Sequence, residues 1–260
     1  MYDSPYLFGD FDLAELCLIA FWVFFAGLVL YLRREDRREG YPLENDITGE
    51  REPLGSFLFY PAPKTFLLPH GHGTRTAPTY GRETRLLSAR RSAPMEGSPI
   101  EPLGDALSAG VGPGSYVERP KYPDQTIEGH ARIVPLRVAR DYHVAKDDPD
   151  PRGMTVVGTD GVSAGVVSDV WLDRSEFLVR YLELELAGGG GRRVLLPMTF
   201  AVVHGARRTV SVHALKGGQF AGVPQLENPD QVTLDEEDRV LAYYGAGLLY
   251  ATPDRQEPWI

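Results

Sequence analysis

The chain has 260 residues, a formal net charge of -9, and 43% hydrophobic against 24% charged residues, enough for one sizeable packed domain with extensions. An acidic chain is poorly suited to sequence-independent nucleic-acid binding, which rests on Lys and Arg set against phosphate, so no nucleic-acid partner is expected. Cys17 is the only cysteine; this excludes an internal disulfide and a thiolate zinc site, and its place in an apolar run predicts a small buried apolar residue.

From Leu13 to Leu32 the chain reads LAELCLIAFWVFFAGLVLYL, with Glu15 as the one charge. Twenty helical residues cover about 30 Å, the thickness of a bilayer core. A buried core helix would carry a polar stripe, and none follows Glu15. A cleaved signal peptide needs basic residues ahead of the apolar run. Here Asp3, Asp10 and Asp12 precede it, and Arg33, Arg34, Arg37 and Arg38 follow. The segment therefore reads as an uncleaved anchor, with the N-terminus outside and the chain from Arg33 onward in the cytoplasm. Tyr31 falls at the inner interface, and Glu15, one turn inside the outer boundary, is expected to snorkel to water. The span holds no histidine, so it offers no imidazole to a chlorophyll magnesium or a haem iron.

Residues 41–135 hold 13 of the 21 prolines. Pro61-Ala62-Pro63-Lys64 and Gly110-Val111-Gly112-Pro113-Gly114 cannot be regular helix or central strand. Yet Phe57-Leu58-Phe59-Tyr60 and Phe66-Leu67-Leu68 would sit badly in water, so an extended segment lying against a surface, its own or a partner's, is expected. From Ile133 onward the pattern turns to short β-runs. Asp160-Gly161 signals a hairpin turn, and Val166 to Leu172 reads as a strand. Leu178 to Leu186 alternates, with Leu182, Leu184 and Leu186 on one face and Tyr181, Glu183 and Glu185 on the other. Gly188 to Gly191 turns the chain, Val194 to Leu196 returns, and Thr209 to His213 alternates again. This spacing predicts a small antiparallel sheet or barrel. Thr233 and Glu236 make a capping box for a helix from Leu234 to about Tyr244, ending at Gly245. The expected organisation is residues 1–11 outside, 12–34 in the membrane, 35–132 extended, and 133–260 a β-rich domain with a C-terminal helix.

No catalytic signature is present: no serine elbow, no His-Glu-x-x-His, no Walker loop. His70 and His72 in a Gly-rich loop read as solvated, and Asp147, Asp148 and Asp150 read as an acidic turn without the bidentate Glu of a calcium loop. Asp173 and Glu176 flank a turn between two expected strands, near Arg174 and Arg180. Glu128 and His130 stand two residues apart. On spacing alone these are solvated turn charges.

A series of stretches along the chain alters that weighting. Arg33 to Leu43 reads RREDRREGYPL directly after the span. In order come Pro63-Lys64-Thr65-Phe66, Leu68-Pro69-His70-Gly71, Val111-Gly112-Pro113, Ile133-Val134-Pro135-Leu136 and Asp150-Pro151-Arg152-Gly153. Trp171-Leu172-Asp173-Arg174-Ser175-Glu176, Arg180-Tyr181-Leu182-Glu183 and Glu236-Glu237-Asp238 before Tyr243-Tyr244 complete the set. Over nearly its whole length the chain resembles the H subunit of the purple-bacterial photosynthetic reaction centre. The resemblance implies one transmembrane α-helix, an extended segment, and a mainly β cytoplasmic domain of the PRC-barrel type, a small antiparallel barrel. It implies a non-enzymatic subunit of the intracytoplasmic membrane, N-terminus periplasmic, that itself binds no cofactor. Such subunits cap the L and M subunits, which hold bacteriochlorophyll, bacteriopheophytin, quinone and non-haem iron. Light-harvesting antenna polypeptides, a c-type cytochrome and membrane lipids are further expected partners.

The resemblance also implies residue roles. A doubly reduced quinone in a buried pocket needs two protons, relayed by carboxylates raised by partial burial and by histidines near neutrality. Glu176 falls on the family's acidic position near the secondary quinone, and Asp173 on a second one. His130, and more weakly His70, match surface histidines where protons enter. Glu128 stands where some relatives carry a second histidine, so a Glu–His pair replaces a His pair. Arg180 is expected to hold the local charge balance. The alternative, resting on the barrel pattern alone, is a membrane-tethered PRC-barrel adaptor for a soluble protein; it leaves the apolar extended segment and the juxtamembrane match without a purpose.

Overall fold

The Asp12 carboxylate accepts the Glu15 backbone N–H at 2.7 Å, and the Glu15 carboxylate receives the Asp12 N–H in return. From this reciprocal cap, helix α1 runs over Leu13–Glu35. Glu15, expected to reach for water, is exposed and turns back to close the capping box, satisfying backbone donors that a helix start leaves orphaned. The computed structural model describes residues 6–8, 11–53, 55, 60–82 and 84–256. These form two units, Met1–Arg85 with Met95–Gly97, and Leu86–Pro94 with Ser98–Ile260.

In the first unit, short strands β1 (Tyr6–Phe8) and β2 (Phe11–Asp12) pair antiparallel ahead of the helix. No residue of α1 is buried within the chain, and the helix is long and apolar enough to cross a membrane. Cys17 is accordingly exposed here, not covered by its own chain. Past the helix, the arginines make specific contacts with the chain that follows. Arg38 donates to Glu35 at 2.8 and 2.9 Å and to the Ala62 and Ala77 carbonyls at 3.0 Å each. Lys64 Nζ reaches the same Glu35 at 2.9 Å. The Arg37 guanidinium lies over the Tyr41 and Tyr60 rings, 5.2 and 5.1 Å from their centroids. The helix end thus clasps the hairpin of β3 (Lys64–Leu67) and β4 (Thr74–Ala77). Phe66 and Leu67 remain exposed. Of the earlier aromatic run, Tyr60 is buried, and Phe57 to Phe59 lie outside the described residues.

In the second unit, β5 (Ala89–Arg91) and β6 (Ile100–Pro102) form a separate hairpin. The main sheet contains β7 (Ile133–Pro135), β8 (Thr155–Val157), β9 (Ser163–Asp173), β10 (Leu178–Leu186), β11 (Arg193–Pro197), β12 (Ala201–His204) and β13 (Thr209–Val212). Their order is β11-β10-β9-β8-β13-β12, with β7 also paired to β9. The pairs are antiparallel except β8 with β13, which is parallel. As Asp160-Gly161 predicts, the turn into β9 has Gly161 at φ +75 and Asp160 accepting the Val162 N–H at 3.1 Å. At Gly165, in β9, an added Cβ would lie 2.1 Å from the Glu185 carbonyl oxygen, so only glycine permits this close approach of β9 to β10.

The alternation along β10 holds for its inner face, where Leu182, Leu184 and Leu186 are buried. The opposite face departs from the expectation: Tyr181 and Glu183 are also buried, and Glu185 alone of the three stays exposed. Tyr181 lies under a helix, its hydroxyl donating to Glu237 at 2.7 Å. The Glu183 carboxylate takes Trp171 Nε1 at 3.0 Å, Arg137 at 2.9 Å, Ser168 Oγ at 3.0 Å and Arg193 at 3.2 Å. Four donors offset the cost of removing a carboxylate from water.

Helix α2 (Leu234–Tyr250) starts as its sequence predicts, with Glu236 N–H bonded to Thr233 Oγ1 at 3.2 Å and the Thr233 N–H to the Glu236 carboxylate at 2.8 Å. It does not stop at Gly245. That glycine and Gly247 are contact points, where an added Cβ would come 2.4 Å from the Pro113 oxygen and 2.3 Å from the Ala214 oxygen. Close backbone packing, not helix termination, is what these glycines serve, and packing overrides the stop signal. Gly247→Ala is expected to destabilise the fold by about 1–3 kcal/mol, the cost of overpacking. Gly218→Ala, where an added Cβ meets nothing within 4 Å, is expected to stay within about 0.5 kcal/mol of the parent. Denaturant unfolding followed by tryptophan fluorescence compares the two.

Candidate functional site

Strand β9 ends on Asp173, whose carboxylate is fully buried. Its Oδ1 accepts the backbone N–H groups of Ser175 at 2.8 Å and Glu176 at 3.0 Å, and the Phe177 N–H closes on the Asp173 carbonyl at 2.9 Å. A short carboxylate bonding its own backbone two and three residues on is the local reason the chain turns here. Phe177 takes φ +56 and is exposed, a left-handed conformation that a bulky residue holds only where its surroundings impose it.

Pairing of β7 with β9 sets Ile133 opposite Asp173, which delivers Arg132 to the turn. Its guanidinium spans three carboxylates: Nε donates to Asp173 Oδ1 at 3.0 Å, Nη1 to Asp124 at 3.1 Å, and Nη2 to Glu176. Arg180 Nε stands 4.0 Å from Asp173 Oδ2. Arg132 Nε is also 2.9 Å from that second oxygen, but the N–H is aimed at Oδ1, so Oδ2 is buried without a hydrogen bond. The segment 124–132 is itself a small hairpin, with Gln125 bridged to Ala131 and the Thr126 N–H bonded to the His130 carbonyl at 2.9 Å. Its tip presents Glu128 and His130, both exposed.

Of the residues singled out from sequence, the fold gathers Asp173, Glu176 and Arg180 around Arg132, and sets Glu128 and His130 on the loop that Arg132 anchors. His70 belongs to the other unit, exposed on a turn at φ +54, and takes no part in this cluster. Arg132 and Asp124 escape a reading by spacing because they lie roughly 40 to 50 residues upstream of the turn they serve; only the β7–β9 register unites them. Among the described residues no group of three or more His, Cys, Asp or Glu could hold a metal.

The cluster's charges act on the carboxyls in named directions. Burial pushes the Asp173 carboxyl up, but the Arg132 guanidinium and the two turn N–H groups outweigh it, and the carboxyl ends below its usual range. The Asp173 carboxyl is thus lowered, where burial alone would raise it. Glu128 is also held low, first by the Thr126 hydroxyl, then by its own backbone N–H, with His130 adding attraction.

Because the Asp173 pKa is lower folded than unfolded, its stabilisation is full above the ordinary carboxylate range and is lost as pH falls through the folded value. Arg132→Gln leaves burial opposed by the turn N–H groups and the more distant Arg180, so the carboxyl rises. The variant is expected to lose about 1–3 kcal/mol at neutral pH, less than the roughly 3–5 kcal/mol of a fully enclosed pair because Arg132 keeps some contact with water. That deficit should shrink on acidification, and unfolding curves between about pH 4 and 8 follow it.

Two family models match the chain. Residues 5–138 match the photosynthetic reaction centre, H-chain N-terminal region, and residues 144–219 match the PRC-barrel domain.

Proposed function

The chain belongs to the family of photosynthetic reaction centre H chains, non-enzymatic subunits that associate with other reaction centre subunits, and we propose that it caps the L and M subunits on the cytoplasmic side and assists proton delivery to the secondary quinone. The observation that carries the proton-delivery part is the Arg132 cluster: one guanidinium holding a buried carboxylate, Asp173, and a half-exposed one, Glu176, on a single turn.

The division of labour follows from burial. Asp173 stays charged and, with Arg132 and Arg180, fixes the field at the turn. Glu176 has water on one side and Arg132 on the other, so it can take a proton from solvent and pass it inward to a reduced quinone held by the partner subunits. Glu128 and His130 lie on the exposed loop that Arg132 anchors, where protons are first collected. In this reading bacteriochlorophyll, bacteriopheophytin, quinone and non-haem iron belong to the partner subunits, and this chain contributes shielding and proton-binding groups. The uncovered surface of α1 packs against partner spans and lipid, and Phe66 and Leu67 are covered by a partner. The arginine run after α1 favours a periplasmic N-terminus and a cytoplasmic main domain in the membrane of a purple bacterium. Antenna polypeptides and a c-type cytochrome complete the assembly.

Glu176→Gln in the assembled complex should slow the proton-coupled second reduction of the secondary quinone by roughly tenfold or more, as a positioned proton donor is worth about 10²–10⁴. Early charge separation should be unaffected. Flash spectroscopy with a pH-indicating dye measures both; unaltered proton uptake in that variant would remove Glu176 from the route. Mild-detergent purification through this chain should bring down partners absorbing in the near infrared, whereas a colourless preparation would favour the adaptor reading.

A further inference from the structure

A second carboxyl lies behind the cluster, on a different element. Glu237, in the first turn of α2, accepts the hydroxyl of the buried Tyr181 at 2.7 Å. Beside the pair opens a cavity of about 380 Å³, with Leu178, Met198 and Leu241 on its apolar wall and Arg180, Tyr181 and Glu237 on its polar wall. Three features coincide here: a carboxyl taken largely out of water, a phenol that fixes its orientation, and an opening large enough for a short file of water.

The charged groups that act most strongly on this carboxyl come from three parts of the chain. From β10 come Arg180 and the Tyr181 hydroxyl. From the segment leading to β7 comes Asp124, whose carboxylate is occupied by Arg132. From α2 itself comes Asp238, paired with Arg119 at 2.8 Å. The neighbouring Pro197, Met198 and Thr199 bring no charge. Burial favours the neutral acid, Asp124 and Asp238 push the same way, and the Tyr181 hydroxyl and Arg180 push back; on balance the carboxyl lies above its usual range. Arg180, 4.0 Å from Asp173, stands between this carboxyl and the Arg132 cluster and feels both.

We propose that Glu237 is a proton-binding residue of this subunit, taking a proton from water through the cavity beside Tyr181 when negative charge develops on the partner-held quinone. The proton adds to the carboxylate oxygen that does not accept the Tyr181 hydroxyl, turning carboxylate into carboxylic acid. No electron moves within this chain. Arg180, shared with Asp173, carries the coupling to the Glu176 route. The inference rests on the reading that the subunit assists proton uptake, and it adds a group outside the β9–β10 turn.

The test uses the assembled complex containing the full chain, with Glu237→Gln, Tyr181→Phe and Glu176→Gln compared to the parent. Flash-induced proton uptake is measured against pH, together with the light-induced infrared signal of carboxylic acid carbonyls. Glu237→Gln should lose part of the uptake at pH values above the ordinary carboxylate range, and with it one carbonyl component. Tyr181→Phe keeps the ring in the core but removes the hydroxyl that favours the carboxylate. It should shift that component of uptake to higher pH. If Glu176→Gln slows quinone protonation while Glu237→Gln leaves uptake and the carbonyl signal unchanged at every pH, Glu237 has no such role and the wider reading stands. An unshifted profile in Tyr181→Phe overturns the proposal equally. If neither Glu176→Gln nor Glu237→Gln alters uptake, the proposal and the reading beneath it fall together.

Discussion

The pairing of Arg132 with Asp173 is the contact on which one end of this domain depends. A carboxylate without solvent contact is held in place by one guanidinium and two backbone N–H groups. The same guanidinium reaches Asp124 and Glu176, so one side chain ties the end of β9, the turn after it and the loop before β7. Leaving a buried charge without its partner is far costlier than never burying it. The cluster therefore forms as a unit, and Glu176 acquires a defined position although it remains half exposed.

A parallel arrangement governs Glu183. Its carboxylate is as buried as a core leucine, yet it gathers Trp171, Arg137, Ser168 and Arg193. Arg137 continues to Asp169 at 3.1 Å and Asp230 at 2.9 Å. Two arginines that each span several acids, Arg132 and Arg137, thus flank β7, one just before it and one just after. Both orient carboxylates along β9 and β10. In an acidic chain this is how carboxylates are kept in a sheet without mutual repulsion: each buried one is matched to a guanidinium.

The first unit uses the same chemistry at the membrane boundary. Arg38 and Lys64 meet on Glu35, and Arg37 lies over two tyrosine rings. Basic residues that sequence reasoning assigns to topology thereby also fix the path of the chain leaving the helix. The two roles are compatible, because a guanidinium at the edge of a bilayer can satisfy carbonyls of the departing segment and still face the polar side.

Several features were set by local sequence. An apolar run of twenty residues has one stable conformation in lipid, so α1 is dictated by composition. Asp160-Gly161, Thr233 with Glu236, and the alternating leucines of β10 act within a few residues and appear where local chemistry puts them. The reaction centre resemblance likewise rests on contiguous motifs. Tertiary structure decided the rest, because it depends on residues far apart in the chain. Gly245 and Gly247 carry a stop signal that the close approach of Pro113 and Ala214 converts into packing points inside a helix. Tyr181 and Glu183 look like an outward face until α2 and the arginines cover them. Asp173 and Glu176 are visible as a turn, but whether a carboxyl there is raised or lowered depends on Arg132, brought in by the register of β7 on β9. A carboxyl's proton affinity is a property of what surrounds it in three dimensions, and neighbours in sequence supply only part of that.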